Sequence, residues 1–229
     1  MALIPDPNRV VVFIDGQNTY KRLIECFPAM PHPGQFDVRA LANGLVGLAP
    51  GRVLDGIRYY TGIQDSSRDP GGYAGKQRYL AKLTADGVTV VQHPMKYSLE
   101  WVLARDQPAT GPRKFVQIWQ SREKGIDILL ALDIVLMASK NAYDTAVIVS
   151  QDTDLDVAVA AAFQLVGGNR YLAVENAYIP DRKNKARIAQ TTPRPLTRAM
   201  LEQMAAIEPA AAPAPRSRAG LARRMPPHG

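Results

Sequence analysis

The chain is poor in the residues that build the commonest covalent and soft-metal sites. It has one cysteine, Cys26, in 229 residues, which excludes an intrachain disulfide and a thiolate metal cluster within one chain and removes any need for an oxidising compartment. Its three histidines lie apart, His32 and His93 beside prolines and His228 near the end, so no histidine pair or triad offers itself to zinc or to serine chemistry. Ser150 stands before a run of aspartates without a Gly-x-Ser-x-Gly elbow, and its hydroxyl is expected to hold the loop or bond a carboxylate. Long apolar runs are missing too. The longest, Ile126 to Ala138, is broken by Asp127 and Asp133 and is too short to span a bilayer. The run Val10–Ile14 stops at once in Asp15-Gly16, unlike the longer hydrophobic region of a secretory signal. No membrane partner is expected, and the protein is read as soluble and cytoplasmic.

Acids are outnumbered, with 21 Asp and Glu against 28 Lys and Arg, for a formal charge of +7 and a sequence pI near 9.6. Arg216, Arg218, Arg223 and Arg224 account for four of those charges in a stretch from Pro209 onward that has no acid, leaving +3 for residues 1–208. A basic body with a basic tail favours a polyanionic partner such as RNA. The organisation expected is one globular domain over 1–208 and a disordered Ala/Pro/Arg-rich tail over 209–229, itself a candidate for docking RNA, a protein partner or a second copy.

Apolar patterning supplies the elements. Arg9–Ile14 reads as a strand buried on both faces, the central first strand of a parallel sheet. Helices are expected over Gln17–Cys26 and over Asp37–Leu48 with Asp37 as N-cap, and a Pro/Gly loop joins them at Pro28–Gly34. A strand over Val53–Thr61, a helix near Gly72–Ala85 and a strand over Val88–His93 follow. Residues 95–120 carry two aromatic-bearing segments separated by Pro/Gly-rich turns, expected to form a small β-ribbon inserted at the sheet edge. Then come a helix over Ile126–Ser139, a buried strand over Thr145–Val149, a helix over Asp154–Val166 ended by Gly167-Gly168, a last strand over Arg170–Val174 and a terminal helix over Leu196–Ile207. The alternation predicts an α/β fold, a three-layer α/β/α sandwich on a mostly parallel sheet.

The scarce acids gather where strands end and helices begin: Asp15 in Phe13-Ile14-Asp15-Gly16-Gln17-Asn18, Asp127 in Lys124-Gly125-Ile126-Asp127, and Asp152, Asp154 and Asp156 in Ser150-Gln151-Asp152-Thr153-Asp154-Leu155-Asp156. In an open parallel sheet the carboxyl ends of the strands form the ligand crevice, which places the residues after Ile14 and after Val149 side by side. One aspartate after a strand is often only a turn or cap residue. Capping does not explain three alternating aspartates at one strand end, and converging carboxylates suit Mg²⁺ or Mn²⁺. Asp133, about 240° around an ideal helix from Asp127, reads either as a carboxylate orienting a basic group or as a buried hydrogen-bonded acid. Asp156 ranks below Asp152 and Asp154. Asn18 is placed to orient a ligand or bond Asp15, or to lie on the helix surface.

These three motifs, in this order and spacing, resemble the signature of the NYN domains, relatives of the PIN-domain nucleases, over roughly Val10 to Val174. The resemblance implies a PIN-like, Rossmannoid sandwich and a metal-dependent endoribonuclease, with Asp15, Asp127, Asp152 and Asp154 holding Mg²⁺ or Mn²⁺ and acting in catalysis, Asn18 matching the family's accompanying Asn and Lys124-Gly125 the approach to the second acid. Beside these, Asp133, Asp156 and Ser150 are expected in supporting places from their own positions in the chain. In many members the last motif reads Ser-Gly-Asp-x-Asp-Phe, whereas here Gln151 and Leu155 stand at the Gly and Phe positions.

Carboxylates repel RNA unless cations offset them. Lys21 and Arg22 after the first motif, Arg122 and Lys124 before the second, and Arg182, Lys183, Lys185 and Arg187 late in the chain are the candidates for phosphate contacts. Tyr20, Tyr97, Trp101 and Trp119 are candidates for base stacking, with core packing or contact between ribbons the stronger expectation for the two tryptophans. A binding module with an inactive pocket is the principal alternative. A haloacid-dehalogenase type wants Asp-x-Asp after the first strand, where this chain has Asp15-Gly16-Gln17, and no Gly-x-Gly-x-x-Gly marks a dinucleotide enzyme.

Overall fold

A computed structural model of the chain describes residues 3–27, 36–106, 110–181 and 187–205. The loop expected at 28–34, the tail and the basic residues Arg182, Lys183 and Lys185 lie outside the described residues. Strand β1 (Asn8–Asp15) owes its place to Val10–Ile14, five apolar residues with no polar face to give to water. It is joined by β2 (Arg52–Ile63), β3 (Thr89–Pro94), β6 (Thr145–Val149), β7 (Ala173–Tyr178) and β8 (Thr192–Pro195) in a six-stranded sheet of order β3-β2-β1-β6-β7-β8. Every neighbouring pair in it is parallel.

The alternation of side chains along β1 divides the core in two. Val10, Val12 and Ile14 pack with Leu23 of α1 (Gly16–Cys26), Leu41 and Leu45 of α2 (Val38–Val46), Leu80 and Leu83 of α3 (Pro70–Ala85) and Leu201 of α6 (Arg198–Ala205). Val11 and Phe13 pack on the opposite face with Leu130 and Ile134 of α4 (Ile126–Ser139) and Val159 and Ala162 of α5 (Asp156–Val166). The expected three-layer sandwich results. Strands β4 (Lys96–Leu103) and β5 (Phe115–Arg122) form a separate antiparallel ribbon. No helix among the described residues is long and apolar enough to cross a membrane.

Aspartates start several helices. Asp37 accepts from the Ala40 amide at 2.8 Å and Asp69 from the Gly72 amide at 2.9 Å, the latter with Pro70 in the first turn. Asp69 moves the start of α3 ahead of the expected Gly72.

Two expectations are corrected and one strand is added. The strand read at Arg170–Val174 is β7, Ala173–Tyr178. Arg170 turns its guanidinium back onto the carbonyls of Tyr143 at 3.1 Å and Ala138, so residues 167–172 make a loop, and pairing starts where Ala173 N–H donates to Asp144 O at 2.9 Å. Strand β8 is additional to the expected elements: Pro193 and Pro195 argue against a strand, yet at a sheet edge their lost donors cost nothing. Asp154 lies in a 3₁₀ turn (Thr153–Leu155), and α5 begins only at Asp156.

Candidate active site

Topology explains why distant aspartates meet. Ile14 pairs with Val149 across β1 and β6, and the strand order runs outward in opposite directions from this pair, so the segments leaving both strands emerge together at a switch point. Asp15 caps α1, its Oδ1 accepting from the Asn18 amide at 2.9 Å while its Oδ2 accepts from Ser150 Oγ at 3.1 Å. Ser150 Oγ accepts in turn from the Asp152 amide at 3.1 Å, and Asn18 Oδ1 accepts from the Gln151 amide at 3.1 Å. Asp152 then caps the 3₁₀ turn by accepting from the Asp154 amide at 3.0 Å. The first and last acidic motifs are thereby tied by side chains of both. Glycine at 16 has its own reason: a Cβ there would fall 2.4 Å from Tyr59 Cζ.

Asp15, Asp127 and Asp152 line one cleft of about 260 Å³, together with Glu123, Asn18, Lys21 and Arg22. Asp127 reaches it from the first turn of α4, which opens on Gly125 in the left-handed region, φ 82°. Asp154 is exposed and does not line the cleft, although its charge is felt by Asp127. Asp133 and Asp156 serve elsewhere. Asp133 Oδ2 accepts from Arg58 Nη2 at 2.6 Å and Tyr60 OH at 2.7 Å, and Asp156 Oδ1 from the Ala189 amide at 2.6 Å.

Loss of water dominates the cleft's electrostatics. Burial lifts the Asp15 carboxyl, 4% exposed, from an ordinary 3.8 to about 6. The Asn18 and Ser150 bonds oppose that shift, and the charges of Asp127 and Glu123 add to it. Asp127 is pushed up by desolvation and then by Asp152 and Asp154, against the pull of Lys21. A bound cation relieves such crowding. Among the described residues no three Asp, Glu, His or Cys side chains stand close enough to form a closed metal cage. The donors are nonetheless all hard oxygens, and Mg²⁺ ordinarily keeps several waters and takes only one or two protein carboxylates. The lining fits an ion held partly through water.

A profile of the NYN domain matches residues 9–166. The chain belongs to the NYN domain family. The matched span contains all three acidic motifs and closes at the end of α5, and membership places the chain in the PIN-like nuclease superfamily, a nuclease-like class of hydrolase. A search of curated proteins finds no match. Among solved structures, a Vibrio parahaemolyticus protein of unknown function is similar at 18% identity and a TM-score of 0.53, over 84% of this chain and 95% of that one, a likeness of fold alone.

Within this NYN domain the residue that sequence reasoning missed is Glu123. It stands between Arg122 and Lys124, where an acid reads as one member of a solvated charge run, and its position four residues before Asp127 was the available signal. Its Oε1 accepts from the Gly62 amide at the end of β2. Burial raises its carboxyl, with the Gly62 bond, Lys76 and Lys21 opposing and Asp127 adding. Lys76, half-buried on α3, is the second residue missed; desolvation lowers it and Glu123 holds it up. A Cβ at position 62 would fall 2.5 Å from Glu123 Cγ, so Gly62→Ala is expected to displace that carboxylate. A Mn²⁺ titration should read this as an affinity loss on the order of tenfold, and an unchanged affinity removes Glu123 from the site.

The candidate cations divide. Lys21 and Arg22 line the cleft, Arg22 also pairing with Glu25 at 2.9 Å. Arg122 is held by Glu100 at 2.7 Å on the ribbon, Lys124 is exposed, and Arg187 lies over the Tyr178 ring at 5.2 Å. The tryptophans are not core residues: Trp101 is 67% and Trp119 50% exposed.

Proposed function

We propose that this protein is a metal-dependent endoribonuclease that hydrolyses RNA phosphodiester bonds in the carboxylate cleft. The observation that carries the reading is the convergence of Asp15, Asp127 and Asp152 on one cleft at the switch point of an NYN sheet. Mg²⁺ or Mn²⁺ bound there would neutralise phosphate charge and supply a water of lowered pKa. Asp15, Asp127 and Asp152 would hold the ion, with Asp154 beside them. Ser150 holds the Asp15 carboxylate and Asn18 holds the Gln151 amide, two hydrogen bonds between the motifs, while the Asn18 and Asp152 amides add one bond within each motif. Lys21 and Arg22 offset the repulsion between the acids and an incoming phosphate. The absence of a closed cage among the described residues favours the rival reading, an RNA- or partner-binding module without catalysis.

A circular RNA, which has no ends, separates the two. Incubated with the full chain and Mn²⁺ or Mg²⁺, it should be linearised and then fragmented, and chelator should stop the reaction. An intact circle at Mn²⁺ levels that saturate the protein would leave only the binding module.

A further inference from the structure

We propose that the β4–β5 ribbon is the platform on which an unpaired stretch of RNA stacks as it enters the cleft; the choice of RNA as occupant rests on the reading of that cleft as an RNA hydrolase. The antiparallel register pairs Leu99 with Trp119, Trp101 with Gln117 and Leu103 with Phe115. Partners directly opposite share a face, and so do alternate residues of one strand. All four aromatics of the ribbon, Tyr97, Trp101, Phe115 and Trp119, therefore stand on one side, and they include both tryptophans of the chain. A two-stranded ribbon left alone in water is marginal. Here Trp101, Phe115 and Trp119 are 67%, 55% and 50% exposed, and every residue of β5 is exposed.

Charge and placement select the occupant. From Lys96 to Arg122 the ribbon and its loop carry five basic residues, Lys96, Arg105, Arg113, Lys114 and Arg122, against Glu100 and Asp106. Lys96 and Arg122 pair across the strands on the face opposite the rings, Arg122 held there by Glu100, and Arg105, Arg113 and Lys114 stand in the loop; on the aromatic side Arg68 lies over Tyr97 and Trp119. Exposed rings beside a guanidinium match a single strand, whose bases are free to stack, better than a duplex, whose bases are not. The ribbon is also rooted at the cleft. Met95 N–H donates to Ile63 O at 2.9 Å at the end of β2, the Asp65 amide donates to Tyr97 OH at 3.0 Å, and Arg68 stacks on the Trp119 ring at 4.0 Å. At the other foot, β5 ends at Arg122 and the next residue is Glu123 of the cleft lining. Eight residues of strand reach about 27 Å outward, so RNA laid along the aromatic face is led to the carboxylates.

The tryptophans report the test directly, because the ribbon holds both. The full chain, in chelator so that nothing is cut, is titrated with a short oligouridylate and with a duplex of equal length while tryptophan emission is followed. Saturable quenching by the single strand and little by the duplex is expected, and Trp101→Ala and Phe115→Ala should each weaken single-strand affinity by about tenfold. Wild-type affinity in both variants overturns the assignment. So does concentration-dependent self-association with blue-shifted emission and no quenching, the result if a second copy covers the ribbon. Cleavage in Mn²⁺ is scored separately. Quenching without cleavage keeps the platform and sinks the nuclease, whereas cleavage with unaltered Trp101→Ala binding does the reverse.

Discussion

Asp15→Asn is expected to melt at a higher temperature than the wild type in the absence of metal and to lose both Mn²⁺ binding and RNA cleavage. The fold holds the Asp15 carboxyl at about 6 instead of 3.8, chiefly by burying it. The folded state therefore binds this proton more tightly than the unfolded chain does, and at pH 7 the ionised group works against folding by up to about 3 kcal/mol. Asparagine removes the charge and keeps the oxygen that accepts from the Asn18 amide, and Asn and Asp are equivalent caps. The pH dependence follows in sign. Wild-type stability should rise as pH falls from 7 through 6 toward 4, with Asp127 and Glu123, also raised, contributing in the same sense. Asp15→Asn should lose most of that rise. Two other carboxylates act oppositely. Burial pushes Asp144 and Glu175 up, but hydrogen bonds from Arg9, and from Arg194 and Arg52, outweigh it and leave both low. Their contribution is present above the unfolded carboxylate range and lost as pH drops below it. Melting curves from pH 7 to 4, with chelator and with Mn²⁺, check the whole pattern. A variant less stable than the wild type in chelator would refute the account of Asp15.

Glu175→Ala should destabilise the protein by about 3–5 kcal/mol, a large part of the roughly 5–15 kcal/mol that holds a domain together. Glu175 on β7 is 2% exposed and accepts from Arg52 Nη2 of β2 at 2.5 Å and from Arg194 Nη2 of β8 at 2.7 Å. Removing the carboxylate leaves the buried Arg52 guanidinium without its partner. Exchanging the pair together, Arg52→Met with Glu175→Leu, should recover most of the loss because no charge is then stranded, and Arg194 is exposed enough to turn to water. Urea unfolding measures both. Equal destabilisation by the single and the double exchange would mean that shape, not charge, sets the cost.

Much of this fold was legible because its layers follow from the period of apolar residues. Val10–Ile14 and Thr145–Val149 have no polar face, which only a strand covered on both sides tolerates, and Ile126–Ser139 and Thr145–Val149 have the bounds the pattern gave. Legibility failed where tertiary contacts override local preference. Arg170 is drawn back onto α4 and delays β7, and Pro193 and Pro195 are tolerated because β8 is an edge. In the cleft, Asp15, Asp127 and Asp152 were found because strand ends and a switch point are readable in one dimension. Glu123 was not, since what makes it a cleft residue is the Gly62 amide, sixty-one positions away. The ribbon was expected in the right place, but nothing in the alternation of β5 tells that its aromatics face water.

The central claim is tested most directly by incubating a labelled single-stranded RNA with the purified 229-residue chain in Mn²⁺, in Mg²⁺ and in chelator, beside a folded Asp152→Asn variant. Asp152 lines the cleft and is tied to Ser150 through its backbone amide, so the exchange leaves that bond in place. Internal cutting by the wild type in metal, abolished by chelator and reduced at least on the order of a hundredfold by Asp152→Asn, is the predicted result. Equal cutting by wild type and variant, or cutting that survives chelation, would contradict it.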